Sequence, residues 1–146
     1  VYGDKLIGGN MGTISETFIP MLPSDFNVTS GNGQLQFTGI TAGSTTAGAS
    51  AYASNYDIFY AASYIIPQGK KAVSCTLYGD SMKVYGFVND IRTKISAQLF
   101  TNGGAGINSF TSNINGDGYT YVTIIINFGN TTTQYIDGGT INLLPV

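Results

Sequence analysis

The sequence contains no histidine, and this absence removes more chemistry than any other feature of the composition. Imidazole is the usual general base at neutral pH, the usual partner of a serine or cysteine nucleophile, and a frequent metal ligand. The 8 acidic residues are scattered, without the paired context that glycoside hydrolysis needs. We therefore expect a protein that is not an enzyme.

Cysteine is nearly absent as well. Cys75 is the only one, so no disulfide can form within the chain. It alternates with Val73 and Leu77 in an apolar row, which predicts a small buried core residue. No apolar run approaches the roughly 20 residues that cross a bilayer, so we expect no membrane insertion. A chain of 146 residues can bury a stable core without disulfides or bound metals, and we expect a single domain over residues 1–146.

Charge is also scarce, at 10% of residues with a net charge of −2. Nucleic-acid affinity depends on clustered cations, whereas the 6 Lys and Arg residues are dispersed, so no nucleic-acid partner is expected. Glycine, serine, threonine and asparagine fill the polar positions, which is typical of an all-β protein with many turns. Such a neutral, hydrogen-bonding surface suits sugars better than ions.

The most regular segment covers residues 119–146. Its apolar side chains alternate with more polar ones, which predicts a strand with one face in the core. The inward row comprises Val122, Ile124, Ile126 and Phe128. Beyond it we predict a short strand at 134–136, a break at Gly138-Gly139 and a last strand at 140–144.

Other segments are also typical of strands. The predicted strands cover residues 34–40, 56–66, 72–78, 82–88 and 91–100. We expect residues 72–78 to be the hairpin partner of 56–66. The predicted loops cover residues 41–54 and 101–118, the latter with a short strand at 107–110.

Residues 91–100 have a marked alternation of their own. The side chains predicted to face inward are Ile91, Thr93, Ile95, Ala97 and Leu99. About eight short strands separated by frequent turn signals indicate a two-sheet antiparallel β-sandwich of jelly-roll type. An immunoglobulin-like sandwich is the alternative topology.

Three segments carry a family resemblance. IIPQGKKAVSCTLYG at 65–79, NGDGYTYVTIIINFGNTTTQYIDGGTINLLPV at 115–146 and, more weakly, DKLIGGN at 4–10 resemble jelly-roll carbohydrate-binding modules with a galactose-binding-like fold. Such modules occur on glycoside hydrolases and on bacteriophage tail adhesion proteins. The resemblance implies noncatalytic saccharide binding that requires no cofactor, and it makes Asp137 the candidate ligand for a structural calcium.

The chain departs from that family in two places. Gly138 follows Asp137 where the family has a second adjacent acid, and the chain has no tryptophan to stack on sugars. Asp117 lies in a Gly-rich segment that partly resembles a calcium loop. A hard cation takes six to eight oxygen ligands, so an ordinary turn is the favoured interpretation of Asp117.

Sugar recognition needs flat aromatic faces together with groups that hydrogen-bond hydroxyls in fixed directions. Ten tyrosines and abundant asparagine supply both. One candidate binding cluster lies where a loop enters a strand and comprises Tyr52, Asn55, Tyr56, Asp57 and Tyr60. The alternative is that Tyr60, like Tyr64, simply fills the core.

A second candidate group comprises Tyr85, Asn89, Asp90 and Arg92, placed on an exposed concave sheet face. The alternative is an ordinary solvated face. The expected setting is a phage or viral host-adhesion protein that recognises cell-surface or wall saccharide, in the virion or outside the cell. A homotrimer or larger virion assembly would fit that setting. A structural virion jelly roll, and a module appended to a secreted polysaccharide-degrading enzyme, are the alternatives.

Overall fold

The computed structural model describes residues 17–30, 35–37, 51–53, 59–93, 96–127 and 134–146. Those ranges form two antiparallel sheets. One, here called the β12 sheet, contains β1 (Phe18–Met21), β3 (Leu35–Phe37), β4 (Ala51–Ala53), β6 (Lys70–Gly79), β10 (Gly106–Asn115) and β12 (Gln134–Pro145). The other, the β11 sheet, contains β2 (Asn27–Ser30), β5 (Phe59–Ile65), β7 (Lys83–Asp90), β8 (Ser96–Gln98), β9 (Gly103–Gly104) and β11 (Thr120–Asn127).

The strand order confirms the predicted two-sheet antiparallel sandwich. The β12 sheet runs β10-β6-β12-β4-β3 with β1 also on β12, and the β11 sheet runs β2-β5-β11-β7-β8 with β9 on β7. Consecutive strands change sheets, from β5 to β6 to β7 and from β10 to β11 to β12, as they do in jelly rolls. A 3-10 helix, Pro23–Asp25, joins β1 to β2. In the described ranges no helix has the length and apolar character of a membrane span.

The core lies between the sheets, and β11 contributes its centre. Val122, Ile124 and Ile126 are completely buried, as their alternation predicts, while Phe128 is outside the described residues. Cys75 of β6 is also completely buried, as expected. Each fully buried aliphatic side chain of this size contributes about 1.5–3 kcal/mol relative to exposure, so this row is a main source of stability.

The hairpin predicted between residues 56–66 and 72–78 is wrong. The two segments form β5 and β6, but these strands belong to different sheets. The turn at Pro67–Lys70, closed by a hydrogen bond from the Lys70 amide to the Pro67 carbonyl, therefore carries the chain across the sandwich. Turn residues predict that the chain reverses direction, but they do not specify which sheet the next strand joins.

The inward face predicted for residues 91–100 is also largely wrong. Ile91 is 60% exposed and Thr93 and Ala97 are exposed, whereas Leu99 is buried. Ile95 lies outside the described residues. The alternation ends because β7 stops at Asp90, whose carboxylate accepts a hydrogen bond from the Arg92 amide at 2.8 Å and starts a turn.

Two predicted loops contain strands. β4 lies within the loop predicted at 41–54, and β10 is longer than the short strand predicted at 107–110. The register between β10 and β6 shifts between Ser109 and Ile114. In that interval the Thr111 amide donates to the Leu99 carbonyl at 2.8 Å, which ties β10 to the segment before it.

The two short strands predicted at the end of the chain are one strand, β12. The register against β6 shifts between Ile136 and Gly138, so Asp137 lies in a bulge and pairing resumes after it. Gly138 has a φ of +125°, and a Cβ there would lie 2.6 Å from the Met21 carbonyl oxygen. A Cβ on Gly139 would collide with the Thr76 carbonyl oxygen. The glycine pair therefore lets β12 lie closely between β1 and β6.

Replacing Gly139 by alanine tests this close approach. The added methyl meets backbone that cannot yield easily, so we expect Gly139→Ala to lower the free energy of unfolding by about 1–3 kcal/mol in urea titrations. Gly104→Ala is the matched control, because its nearest atom, the Met82 carbonyl oxygen, would lie 3.4 Å away. Equal effects of the two substitutions would contradict the account of β12.

Candidate functional site

The first predicted cluster is not brought together by the described residues. Asn55, Tyr56 and Asp57 are outside them, and of Tyr52 only the backbone is described, in β4. Tyr60 lies on β5, in the opposite sheet, and is completely buried. Burial raises the pKa of its hydroxyl. Tyr60 therefore belongs to the core and presents no surface to a ligand.

Tyr64 also has a structural environment. Its hydroxyl donates to Asp25 Oδ2 at 2.6 Å, and the same oxygen accepts from the Leu22 amide at 3.0 Å. Burial, followed by the neighbouring carboxylate, raises the pKa of Tyr64, so its hydroxyl stays protonated and keeps donating. Tyr64 thereby attaches the 3-10 helix to β5.

Tyr85 and Asn89 of the second predicted group lie in the β11 sheet, on the side that faces away from the core, whereas alternation places Asp90 on the opposite side of β7 and Arg92 lies in the turn that follows. Val84 of β7 is buried, so Tyr85 and the alternate residues after it point outward. Cα pairing places Tyr85 beside Ile125 and Asn89 beside Tyr121. We call this side the outer face of the β11 sheet. It comprises Phe59, Ala61, Ser63 and Ile65 of β5, Tyr121, Thr123 and Ile125 of β11, and Lys83, Tyr85, Phe87 and Asn89 of β7.

A chain of hydrogen bonds crosses this outer face. Asn89 Nδ2 donates to Thr123 Oγ1 at 3.0 Å, and Thr123 Oγ1 lies 2.9 Å from Ser63 Oγ. The three residues belong to β7, β11 and β5, so the chain spans the three central strands. An asparagine amide offers two donors and two lone pairs. Within the described ranges Asn89 uses only one N–H, which leaves its other N–H and its oxygen for a ligand.

Aromatic side chains flank these polar groups. Tyr121 pairs with Asn89 across the strands, and Phe87 pairs with Thr123. The Tyr85 ring packs against Phe59, with the ring centroids 6.2 Å apart and the planes tilted by 31°. Three of these rings lie on β7 and β11 and the fourth, Phe59, lies on β5. All four are half-buried. The outer face therefore places apolar ring surfaces beside amide and hydroxyl groups with fixed directions.

The outer face of the β12 sheet has a similar composition but different hydrogen bonding. Asn142 Nδ2 donates to Ser74 Oγ at 2.9 Å and to Thr76 Oγ1 at 3.0 Å. Asn142 Oδ1 accepts from Thr140 Oγ1 at 2.8 Å. Both N–H groups and the oxygen of this amide are thus used within its own sheet, so Asn142 is a structural residue and Asn89 is the better candidate for a ligand.

Asp90 and Arg92 form an ion pair at the end of β7. The Arg92 Nε lies 3.0 Å from Asp90 Oδ1 and its Nη2 lies 2.7 Å from Asp90 Oδ2. The guanidinium is also 4.0 Å from the ring centroid of Tyr119 and 3.7 Å from Asp117 Oδ2. Hydrogen bonds from Arg92 lower the pKa of Asp90 to about 2. The Arg92 charge is therefore already neutralised.

Asp117 and Asp137 have different surroundings. Asp117 Oδ1 accepts from the amides of Tyr119 and Thr120 at 2.8 and 2.7 Å, which is the ordinary turn expected from the sequence. Asp137 is exposed in the β12 bulge. In the part of the chain that the structure describes, no three His, Cys, Asp or Glu residues are grouped so that they could hold a metal. Calcium at Asp137 stays a prediction.

Of the outer-face residues of the β11 sheet, the sequence predicted only Tyr85 and Asn89 as site residues. Those that it missed include Phe59, Ser63, Phe87, Tyr121 and Thr123. The signal was present in the alternation of β11. The same pattern that places Val122, Ile124 and Ile126 in the core places Tyr121 and Thr123 on the opposite side. What the sequence did not show was which strands lie beside β11.

Comparison with known proteins does not assign this chain to a family. No family model matches the chain, and no curated protein matches it. A solved structure described as "CBM4 structure and function" aligns over 86% of this chain and 86% of that chain, with 14% identity and a TM-score of 0.37. A likeness of that size carries no argument here, so the assignment of a β-sandwich is based on the strand pairing itself.

The pKa of Asp90 provides a direct test of the ion pair. Arg92→Gln removes the guanidinium but keeps the backbone amide that also bonds Asp90, so we expect the pKa of Asp90 to rise from about 2 toward its ordinary value of 3.8 without reaching it, as followed by carboxyl NMR shifts. A depressed pKa adds stability above the unfolded value and loses it as the pH falls through the folded value. The native ion pair should therefore persist at pH 4. It should be lost as the pH falls toward 2, because the Asp90 carboxylate is then protonated. An unchanged pKa in Arg92→Gln would contradict the pairing.

Proposed function

We propose that this chain binds saccharide without catalysing a reaction, and that it does so on the outer face of the β11 sheet. The observation that carries the proposal is the hydrogen-bonded chain of Asn89, Thr123 and Ser63, which lies among half-buried aromatic side chains. Sugar rings have apolar C–H faces and directional hydroxyl groups. On the outer face, the aromatic rings suit the C–H faces, and the amide and hydroxyl groups suit the sugar hydroxyls.

The fixed position of Asn89 favours binding. Its amide is held by Thr123, which in turn is held by Ser63, so little side-chain freedom is lost when a ligand arrives. Neighbouring strands lie about 4.8 Å apart, so the polar chain from β5 to β7 extends over about 10 Å. That width exceeds a single sugar ring, which favours an oligosaccharide over a monosaccharide.

The proposed setting is a phage or viral adhesion protein that recognises host cell-surface saccharide, in the virion or outside the cell. Support comes from the composition, which is poor in charge and cysteine and rich in glycine and tyrosine. Solution mass combined with binding separates the alternatives. Saccharide binding by a trimer supports the adhesion protein, and binding by a monomer supports a module on a polysaccharide-degrading enzyme. Assembly without binding supports a structural virion protein.

Asn89→Ala tests the site, because the substitution removes the amide that is free to contact a ligand. After a glycan array identifies a ligand, we expect Asn89→Ala to weaken its binding by about three- to tenfold in calorimetry, the value of one or two hydrogen bonds. Asn142→Ala is the matched control on the opposite sheet. It should lower the melting temperature and leave saccharide affinity unchanged.

Two results would overturn the proposal. One is a glycan array on which the folded protein retains no saccharide. The other is an affinity that falls in Asn142→Ala and not in Asn89→Ala, since that would place the site on the β12 sheet.

A further inference from the structure

A cavity lies at the edge of the β11 sheet where β7 pairs with β9, at the end of β7 opposite Arg92. Its volume is about 330 Å³, and it is lined by Lys83, Val84, Tyr85, Asn102 and Gly103. Cα pairing between β7 and β9 joins Lys83 to Gly104 and Val84 to Gly103, so backbone pairing fixes two sides of the cavity. The cavity is therefore a built feature of the sheet edge.

Asn102 lies directly before β9 and lines this cavity. Its φ of 54° makes it the one non-glycine residue with a left-handed backbone in the described part of the chain. Asparagine adopts that conformation more readily than most residues, at a cost that the surrounding structure must offset. Backbone held in this way is often found beside binding sites, and here the polar residue that adopts it lines the same cavity as Tyr85.

Charge distinguishes this end of the outer face. Arg92 is neutralised by Asp90 at 2.7 Å and by Asp117 at 3.7 Å. Lys83 is exposed and, within the described ranges, has no such carboxylate partner. Its ammonium group therefore remains available to a ligand, on the same strand face as Tyr85.

The spacing of Lys83 and Tyr85 suits one ligand. They are two positions apart on β7, which places their Cα atoms about 6.6 Å apart on one side of the sheet. A sugar ring on Tyr85 would lie within the reach of the flexible lysine stem. Lysine acts as a compact point charge, so it would recognise a carboxylate, sulfate or phosphate group alike.

We propose that Lys83 makes this face prefer saccharides that carry an acidic group, with the sugar ring on Tyr85 and the acidic group in the cavity between Lys83 and Asn102. This inference rests on the proposed saccharide binding and adds the class of ligand. Exposed ion pairs contribute about 0.2–1 kcal/mol, so the expected preference is modest, at most about fivefold.

The test uses an array of matched oligosaccharide pairs, in which each uronate, sulfated or phosphorylated member is printed beside its neutral counterpart. We expect the protein to retain the acidic member of a bound pair up to about fivefold more strongly, and to lose this preference as salt approaches about 1 M. Lys83→Met keeps the length of the side chain and should bind both members equally. Lys83→Arg keeps the charge and should keep the preference.

The remaining outcomes are distinguishable. Equal or stronger retention of neutral members by the native protein would overturn the role of Lys83 and leave saccharide binding in place. An undiminished preference in Lys83→Met would overturn it as well. Failure to retain any member of any pair would overturn this inference together with the proposed function.

Discussion

The register of β11 determines both the core and the outer face of its sheet. The strand is paired with β5 on one side and with β7 on the other, and its side chains alternate between two environments. A shift by one residue would bring Thr123 into the core and expose Ile124. Burying a hydroxyl without a partner costs about 1–3 kcal/mol, and losing a buried aliphatic side chain costs as much again. The burial of the inner row therefore holds the outer hydroxyl row in place.

β12 is the central strand of the other sheet, but the Asn142 amide on the outer face of that sheet has no free hydrogen-bonding group. One edge of β12 pairs with β6 over most of its length, while the other edge is shared between β4 and β1. The amide of Asn142 is used within that sheet, whereas the amide of Asn89 is only partly used. Two faces of similar composition thus differ in what they offer a ligand, and hydrogen-bond geometry makes the difference.

The sequence predicted the sheets better than the site. Alternation places Val122, Ile124 and Ile126 correctly because burial on one side of a strand is a local property of the pattern. Strand neighbours are not local, so the pairing of β5 with β11, and with it the contact of Ser63 and Thr123, could not be predicted. The apolar alternation over residues 91–100 looked regular in the sequence. The hydrogen bond from the Arg92 amide to the Asp90 carboxylate forms a turn there instead, and Ile91 is exposed.

The central claim is that ligands bind the outer face of the β11 sheet and leave that of the β12 sheet alone. Amide and side-chain NMR shifts, recorded while a bound oligosaccharide is titrated into the labelled protein, test this claim most directly. The account predicts that resonances of Ser63, Tyr85, Asn89 and Thr123 move with one common dissociation constant, while those of Ser74 and Asn142 stay fixed. Shifts confined to Ser74, Asn142 and their neighbours on β6 and β12 would contradict it.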